Sequence, residues 1–231
     1  MRRFLPALLI LFAAASLADE QIVTAFNATY SLHKGSLQVG EANLSMAQND
    51  ANMHWQLSSK ATGIYALLTS KKPYSESTLK RSGNDYQLAS ISVSDNHKDQ
   101  VTESAQFNWR DKKLDVQRKG KSKVLTLGNS VFDYLSIHWL SAQMTLNAVS
   151  KTEIDFYRKG KLVKSTLKLI GLSKINIDDK SRSLRLYEQS FKASKTTYQY
   201  YYDLKNPLLP IKIERIKPGK DSTVMIFKHL N

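Results

Sequence analysis

Apolar and polar residues alternate along most of the chain, the pattern typical of strands that bury one face of a sheet. Four apolar residues share one face of the first such segment, namely Phe26, Ala28, Tyr30 and Leu32. The same alternation predicts further strands in Leu37–Met46, Tyr74–Leu79, Tyr86–Val93, Val101–Trp109, Leu114–Val116, Val124–Leu127, Ile154–Tyr157, Leu162–Ile170, Leu184–Tyr187, Thr196–Tyr202, Leu209–Ile216 and Thr223–Phe227. A slip in the phase of the alternation at Gly40–Glu41 predicts a β-bulge.

The connections between these segments are short and contain turn residues, which predicts antiparallel hairpins. Gly83, Gly120, Gly160 and Gly219 lie in four of them. Parallel neighbours would need a crossover of a dozen or more residues. A sheet of about a dozen strands does not stay flat, so the sequence predicts a large, strongly curved antiparallel sheet or a partly closed barrel.

Two segments depart from the β pattern. Apolar residues recur at helical spacing over Ser130–Leu146, with Ser130 and Asp133 as a capping pair, which predicts one substantial helix. This helix either plugs one end of the sheet or lies across its concave face. The pattern of Ala61–Thr69 predicts a short helical turn or an apolar loop.

The first eighteen residues have the pattern of a signal peptide, which leaves residues 19–231 as a single curved β domain. Arg2 and Arg3 precede an apolar run over Phe4–Phe12, and small side chains at Ser16 and Ala18 predict cleavage after Ala18. The apolar run is too short to cross a membrane. We therefore expect a periplasmic protein, with full secretion as the alternative.

The chain contains no cysteine, so the sequence excludes disulfides, thiol chemistry and the lipid attachment of a bacterial lipoprotein. Its formal net charge is +14. That charge either keeps the protein soluble or attracts it to an anionic envelope component such as lipid headgroups. The predicted compartment argues against nucleic acid as a partner.

No pattern of catalytic, metal-binding or cofactor-binding residues is present. The five histidines lie far apart and without metal-ligand spacing, and neither a nucleophile elbow nor a glycine-rich phosphate loop occurs. The sequence thus predicts no catalytic residue, metal or cofactor and favours a protein that is not an enzyme. A Ser-His-Asp site assembled from distant strands stays open as an alternative.

Aromatic stripes are the most suggestive candidates for ligand binding. Tyr198, Tyr200 and Tyr202 share one strand face, and Phe107 and Trp109 form a similar stripe. Such stripes either pack an ordinary β core or line a hydrophobic cavity in a partly closed sheet. The candidate cavity-lining residues are Tyr30, Phe107, Trp109, Trp139, Tyr198, Tyr200 and Tyr202.

With these residues in view, the chain resembles an uncharacterised bacterial periplasmic family, the domain of unknown function thirty-one-oh-eight. The resemblance extends from about Phe26 to Phe227 and rests on Phe26-x-Ala28-x-Tyr30, Val39-Gly40-Glu41-Ala42, Ala61-x-Gly63, Asp133-x-Leu135-Ser136 and Pro207–Glu214. It implies an exported, mostly β protein without an established activity, so no catalytic residue is transferred. The implied shape is similar to the curved half-barrels of periplasmic lipoprotein and lipid carriers.

These observations support three functional hypotheses. The first is a non-enzymatic binding or carrier protein for a hydrophobic or anionic amphiphilic envelope ligand, such as a lipid. The second is an envelope scaffold or assembly factor that binds a partner protein through a strand edge or basic hairpin tips. The third is a hydrolase with an unrecognised site.

Overall fold

The computed structural model describes residues 25–96, 100–177 and 180–231. The predicted signal peptide, residues 1–18 with its cleavage site after Ala18, lies outside the described residues. The described part contains fifteen strands and two helices: β1 (Ala25–Lys34), β2 (Leu37–Gln48), β3 (Asn52–Ala61), α1 (Ile64–Leu68), β4 (Tyr74–Ser82), β5 (Asp85–Ser94), β6 (Val101–Asn108), β7 (Lys113–Arg118), β8 (Lys121–Thr126), β9 (Val131–Phe132), α2 (Ile137–Leu146), β10 (Lys151–Arg158), β11 (Lys161–Ile177), β12 (Lys180–Phe191), β13 (Ser194–Tyr202), β14 (Pro210–Ile216) and β15 (Thr223–Leu230).

All fifteen strands belong to one sheet, in the order β8-β7-β6-β5-β4-β3-β2-β1-β15-β14-β13-β12-β11-β10-β9. Every pair but one is antiparallel, and most of these pairs join strands that are consecutive in the chain. The two halves of the sheet join where β1 pairs with β15, with Tyr30 opposite Phe227. The exception is the parallel pair β9–β10, which α2 connects as a crossover.

The sheet curls until its two ends meet through side chains. On β6, the Glu103 carboxylate accepts a hydrogen bond from the Tyr157 hydroxyl of β10 at 2.8 Å and another from the backbone N–H of Gly160 at 2.8 Å. Its second oxygen accepts from Nε of Arg118 on β7 at 2.6 Å. This contact brings the two ends together and confirms the predicted class, a strongly curved and partly closed β-sheet.

Helix α2 lies inside the curve and is attached to both halves of the sheet. The indole N–H of Trp139 donates to Asp85, the first residue of β5, at 2.8 Å, and the ring of His138 packs against Trp55 of β3. On the other side, Thr145 and the Tyr187 hydroxyl of β12 are 2.8 Å apart. Because both halves hold α2, the helix fills the concave face of the sheet.

The predicted helix over 130–146 begins too early. Val131–Phe132 pairs with β10 as a strand, which suits a β-branched and an aromatic residue, and the helix begins at Ile137. Ser130 and Asp133 do not form the predicted capping pair. Instead the Asp133 carboxylate accepts from the backbone N–H groups of Leu135 and Ser136, at 3.2 and 2.8 Å, and shapes the turn before the helix.

Two further differences concern strands β2 and β3. The irregular pairing between β1 and β2 falls at Val39, just before the predicted bulge at Gly40–Glu41. Strand β3 was not predicted, although Met53, Trp55 and Leu57 alternate with polar residues in the usual way. The short helical turn predicted within Ala61–Thr69 is confirmed as α1.

Candidate functional site

The aromatic residues predicted to line a cavity lie in the packed interior. Tyr30, Tyr200 and Tyr202 are at most 1% exposed, and Trp139 and Tyr198 are also buried. Tyr198, Tyr200 and Tyr202 stack along β13, with successive ring centroids 6.3 and 6.5 Å apart. Their role as ligand contacts stays a prediction, and it requires this packing to open.

Hydrogen bonds inside the core satisfy the tyrosine hydroxyls. Tyr30 donates to the carbonyl of Pro210 at 2.8 Å, Tyr200 donates to the Gln189 side chain at 2.7 Å, and Tyr202 is 2.7 Å from Nδ1 of His138. Burial raises the pKa of all three tyrosines and lowers the pKa of His138 to about 3. The network is therefore neutral at physiological pH, and it has the properties of a structural core.

Phe107 and Trp109 are the two predicted residues that also border open space. They line one side of a depression of about 350 Å³ over β4, β5 and β6. The Trp109 indole N–H already donates to the carbonyl of Leu88 at 2.7 Å, and its ring stacks with that of Phe107. Both side chains thus have partners within the sheet.

A cleft of about 820 Å³ lies on the outer face of the sheet. Its floor is a row of polar side chains that crosses five neighbouring strands, because the pairing registers align one outward position of each. The row consists of His229, Thr29, Asn43, Ser58 and Tyr74, on β15, β1, β2, β3 and β4 respectively. It continues directly across the strand pairs, so hydroxyl, amide and imidazole groups form one continuous surface.

Hydrogen bonds order this row. The Thr29 hydroxyl lies 2.9 Å from Oδ1 of Asn43 and 3.1 Å from Oδ1 of Asn231, which also lines the cleft. The Tyr74 hydroxyl donates to Glu76 at 2.9 Å. Burial first, and then the hydrogen bond and charge of Glu76, raise the pKa of Tyr74, so the phenol stays protonated. Thr29, Asn43 and Tyr74 therefore offer neutral donors and acceptors that hydrogen bonds hold in place.

Lysines give the cleft a positive edge. Lys60 and Lys72 line it, and Lys228 stands beside it. Glu41, the acidic side chain in the lining, lies 3.1 Å from Nζ of Lys228 and 3.5 Å from Nζ of Lys60. The hydrogen bond and charge of Lys228, followed by the charge of Lys60, lower the pKa of Glu41. In the lining itself two lysine side chains face one acidic side chain, which favours anions at this edge, while Glu76 places a second carboxylate beside Tyr74.

Sequence reasoning missed this site. Thr29, Asn43 and Tyr74 lie in predicted strands, whereas Ser58 lies in β3 and His229 lies beyond the predicted end of the last strand at Phe227. Polar residues at outward positions are ordinary in a half-buried sheet. The pairing of β1 with β15 alone brings Thr29 beside His229, two hundred residues apart in the chain. The polar positions of a single strand do not show which residues of a distant strand will lie beside them.

Within the described residues, no three His, Cys, Asp or Glu side chains stand close enough together to hold a metal ion. No helix in the same part of the chain has the length and apolar composition to span a membrane.

The fold and the cleft define a class of protein: a curved, partly closed β-sheet wrapped around one helix, with a polar groove outside. The family model described as "Protein of unknown function (DUF3108)" matches residues 26–226. The chain therefore belongs to this family. It is the family that the sequence resembles.

Comparison with solved structures adds a structural relative. The crystal structure of a "Beta-barrel-like Protein of Domain of Unknown Function DUF1849" from Brucella abortus matches with a TM-score of 0.57 and 8% sequence identity. The match covers 91% of this chain and 98% of that chain. At this identity the likeness shows a shared fold alone. No curated protein matches the sequence.

Proposed function

We propose that this protein is a non-enzymatic binding protein of the bacterial periplasm that holds the anionic headgroup of an envelope amphiphile in its outer cleft. The observation that carries the proposal is the ordered polar row across five strands, bordered by Lys60 and Lys72. Hydroxyl and amide groups suit the glycerol or sugar part of a headgroup, and ammonium groups suit its phosphate. The signal-peptide pattern of residues 1–18 supports the compartment.

The outer cleft is a better candidate than the interior because it needs no rearrangement. Side chains and α2 occupy the concave face, where an acyl chain would have to displace buried rings such as Tyr200 and Trp55. Each large buried side chain that leaves the core costs about 1.5–3 kcal/mol of transfer free energy. A headgroup in the cleft meets groups that already face solvent.

Isothermal titration calorimetry with dihexanoyl phosphatidylglycerol, below its micellar concentration, tests the proposal. Dihexanoyl phosphatidylcholine serves as the neutral headgroup, and inorganic phosphate tests whether the anion alone suffices. We expect binding of the glycerol lipid, weaker binding of phosphate and little of the choline lipid. Failure of the glycerol lipid to bind would overturn the assignment of the site to an anionic headgroup.

Two sets of variants locate the site. The double substitution Lys60→Ala with Lys72→Ala should weaken binding by about tenfold, equivalent to roughly 1.4 kcal/mol. Lys195→Ala with Lys220→Ala removes the same charge from exposed positions outside the cleft and should change affinity little. Glu41→Gln removes the carboxylate that holds Lys60 and Lys228, and it should strengthen binding. Equal losses from both lysine pairs would mean that net charge alone attracts the ligand.

A partner protein is the second candidate, favoured by the free edge of the sheet. Within the described residues β8 pairs with β7 alone, and Val124 on β8 is 60% exposed. Lys121 and Lys123 on the same strand work against strand addition, as lysines do on protected edges. A photo-crosslinking residue at position 124 in intact cells should give a discrete protein adduct if β8 is an interface. The same residue at exposed position 172 is the control.

A further inference from the structure

Helix α1 presents an apolar tip without a packing partner among the described residues. Ile64, Leu67 and Leu68 are 70%, 85% and 76% exposed, and the five-residue helix has no buried residue. A surface helix ordinarily turns its large apolar side chains toward the core. Three such side chains in one short helix form a patch of the kind that marks an interaction site.

The fold holds this tip away from the sheet. The segment 62–73 leaves β3 and returns to β4, and two backbone hydrogen bonds close its base: Thr62 N–H to the Val39 carbonyl at 3.2 Å, and Ser59 N–H to the Pro73 carbonyl at 3.0 Å. Gly63 has a φ of 58°, which turns the chain sharply into the helix. The result is a compact loop, fixed at its base, whose apolar end faces solvent.

Cations surround the base of the tip. Lys60 is the next-to-last residue of β3, and Lys71 and Lys72 follow α1; all three lysines are exposed. Lys71 lies 3.8 Å from Asp95, an exposed pair of little strength in water. An apolar projection above exposed lysines matches the layers of an anionic bilayer, where phosphates lie at the surface and hydrocarbon beneath. A groove on a partner protein would need no such group of lysines.

We infer that α1 docks onto an anionic lipid bilayer, with Ile64, Leu67 and Leu68 entering below the headgroups while Lys60, Lys71 and Lys72 contact phosphates. One short helix with three apolar side chains gives reversible attachment, since stable anchoring requires a larger apolar signal. This surface borders the cleft, for which we propose a single bound headgroup, and the apolar side chains of α1 lie outside the cleft lining. The attachment brings the cleft to the membrane because Lys60 and Lys72 belong to both.

Co-sedimentation with vesicles tests this assignment on protein purified from cells that express the whole chain. The vesicles are of phosphatidylcholine, with or without phosphatidylglycerol. Leu67→Gln with Leu68→Gln should weaken binding to the anionic vesicles by about tenfold. Ile170→Gln with Leu172→Gln, an equal change at exposed apolar positions elsewhere, should leave it within about twofold. Equal binding by both double variants would overturn the assignment.

Insertion itself has a direct readout because the chain has no cysteine. A Leu67→Cys variant is labelled at its single cysteine with an environment-sensitive fluorophore. The emission maximum of the label should shift to shorter wavelength when anionic vesicles are added. The same label at Leu172→Cys should not. If bound protein leaves the label at position 67 in water, the lysines alone attract the membrane and the insertion of α1 is refuted.

The outcomes separate this inference from the proposed function. The Leu67→Gln, Leu68→Gln variant should still bind dihexanoyl phosphatidylglycerol in the cleft, because neither leucine lines it. Analytical ultracentrifugation without lipid tests whether α1 instead contacts a second copy of the chain. Should the unmodified protein self-associate and this variant not, and should vesicles fail to bind, then α1 is a contact between copies of the chain.

Discussion

The hydroxyl oxygen of Tyr202 lies 2.7 Å from Nδ1 of His138, and this hydrogen bond joins α2 to β13 at the centre of the molecule. The imidazole ring also packs against Trp55 from the other half of the sheet, with centroids 5.2 Å apart. His138 is therefore a structural link between the two halves, although a histidine beside a phenol resembles a catalytic pair. Its lowered pKa comes from burial, so the ring stays neutral.

This burial predicts a loss of stability in acid. The pKa of His138 falls from 6.5 to about 3 in the folded protein, so below pH 6.5 the unfolded chain takes up a proton that the folded chain does not. The free energy of unfolding should fall as the pH drops from 6.5 toward 3, with His138 contributing up to about 1.4 kcal/mol per pH unit. Urea denaturation over this range measures the slope.

Two variants test whether His138 causes this pH dependence of the free energy of unfolding. His138→Gln should flatten it, because glutamine has no proton to take up. Tyr202→Phe should lower stability by about 1 kcal/mol through the lost hydrogen bond while keeping the slope. A slope unchanged in His138→Gln would show that other groups produce the acid sensitivity.

The contact that closes the sheet predicts a large effect at Glu103. Glu103→Ala should lower the free energy of unfolding by about 2–3 kcal/mol, since it leaves Tyr157, Gly160 and Arg118 without their acceptor in a mostly buried place. Glu153→Ala is the matched control. Its carboxylate pairs with Lys192 at 3.5 Å, both side chains are mostly exposed, and the loss should stay below about 1 kcal/mol. Equal losses would refute closure through Glu103.

Gly40 should not tolerate a side chain. A Cβ atom there would lie 2.5 Å from the carbonyl oxygen of Lys60 on the neighbouring strand, so the backbone would have to move. Gly40→Ala should lower the melting temperature, at a cost of about 2 kcal/mol in stability. Ala47→Ser, an exposed change on the same strand, should alter stability by less than about 0.5 kcal/mol. A fully stable Gly40→Ala protein would contradict the close approach of β2 and β3.

The signal-peptide prediction concerns processing. Intact mass measured on protein from the periplasmic fraction should correspond to a chain that begins at Asp19. Ala18→Arg places a large charged residue at the cleavage position and should leave the precursor uncleaved. A periplasmic protein that keeps Arg2 and Arg3 would contradict the prediction.

The sequence predicted the elements better than their contacts. Alternation identified most strands because each buries one face, as Phe26, Ala28 and Tyr30 show on β1. The predicted start of the helix is too early because helical spacing also fits Val131, which pairs with β10 together with Phe132 as a strand. Local spacing carries no information about that partner.

By itself the sequence determined a disulfide-free, hairpin-linked, strongly curved sheet with a main helix, because the period of the apolar residues and the turn residues are local properties. The tertiary structure alone decided that aromatic side chains and α2 fill the concave face, and that Glu103 meets Tyr157 where the ends approach. It also aligned Thr29 with His229 and left Leu67 exposed beside lysines. These features depend on strand register and curvature, which arise when distant segments pair.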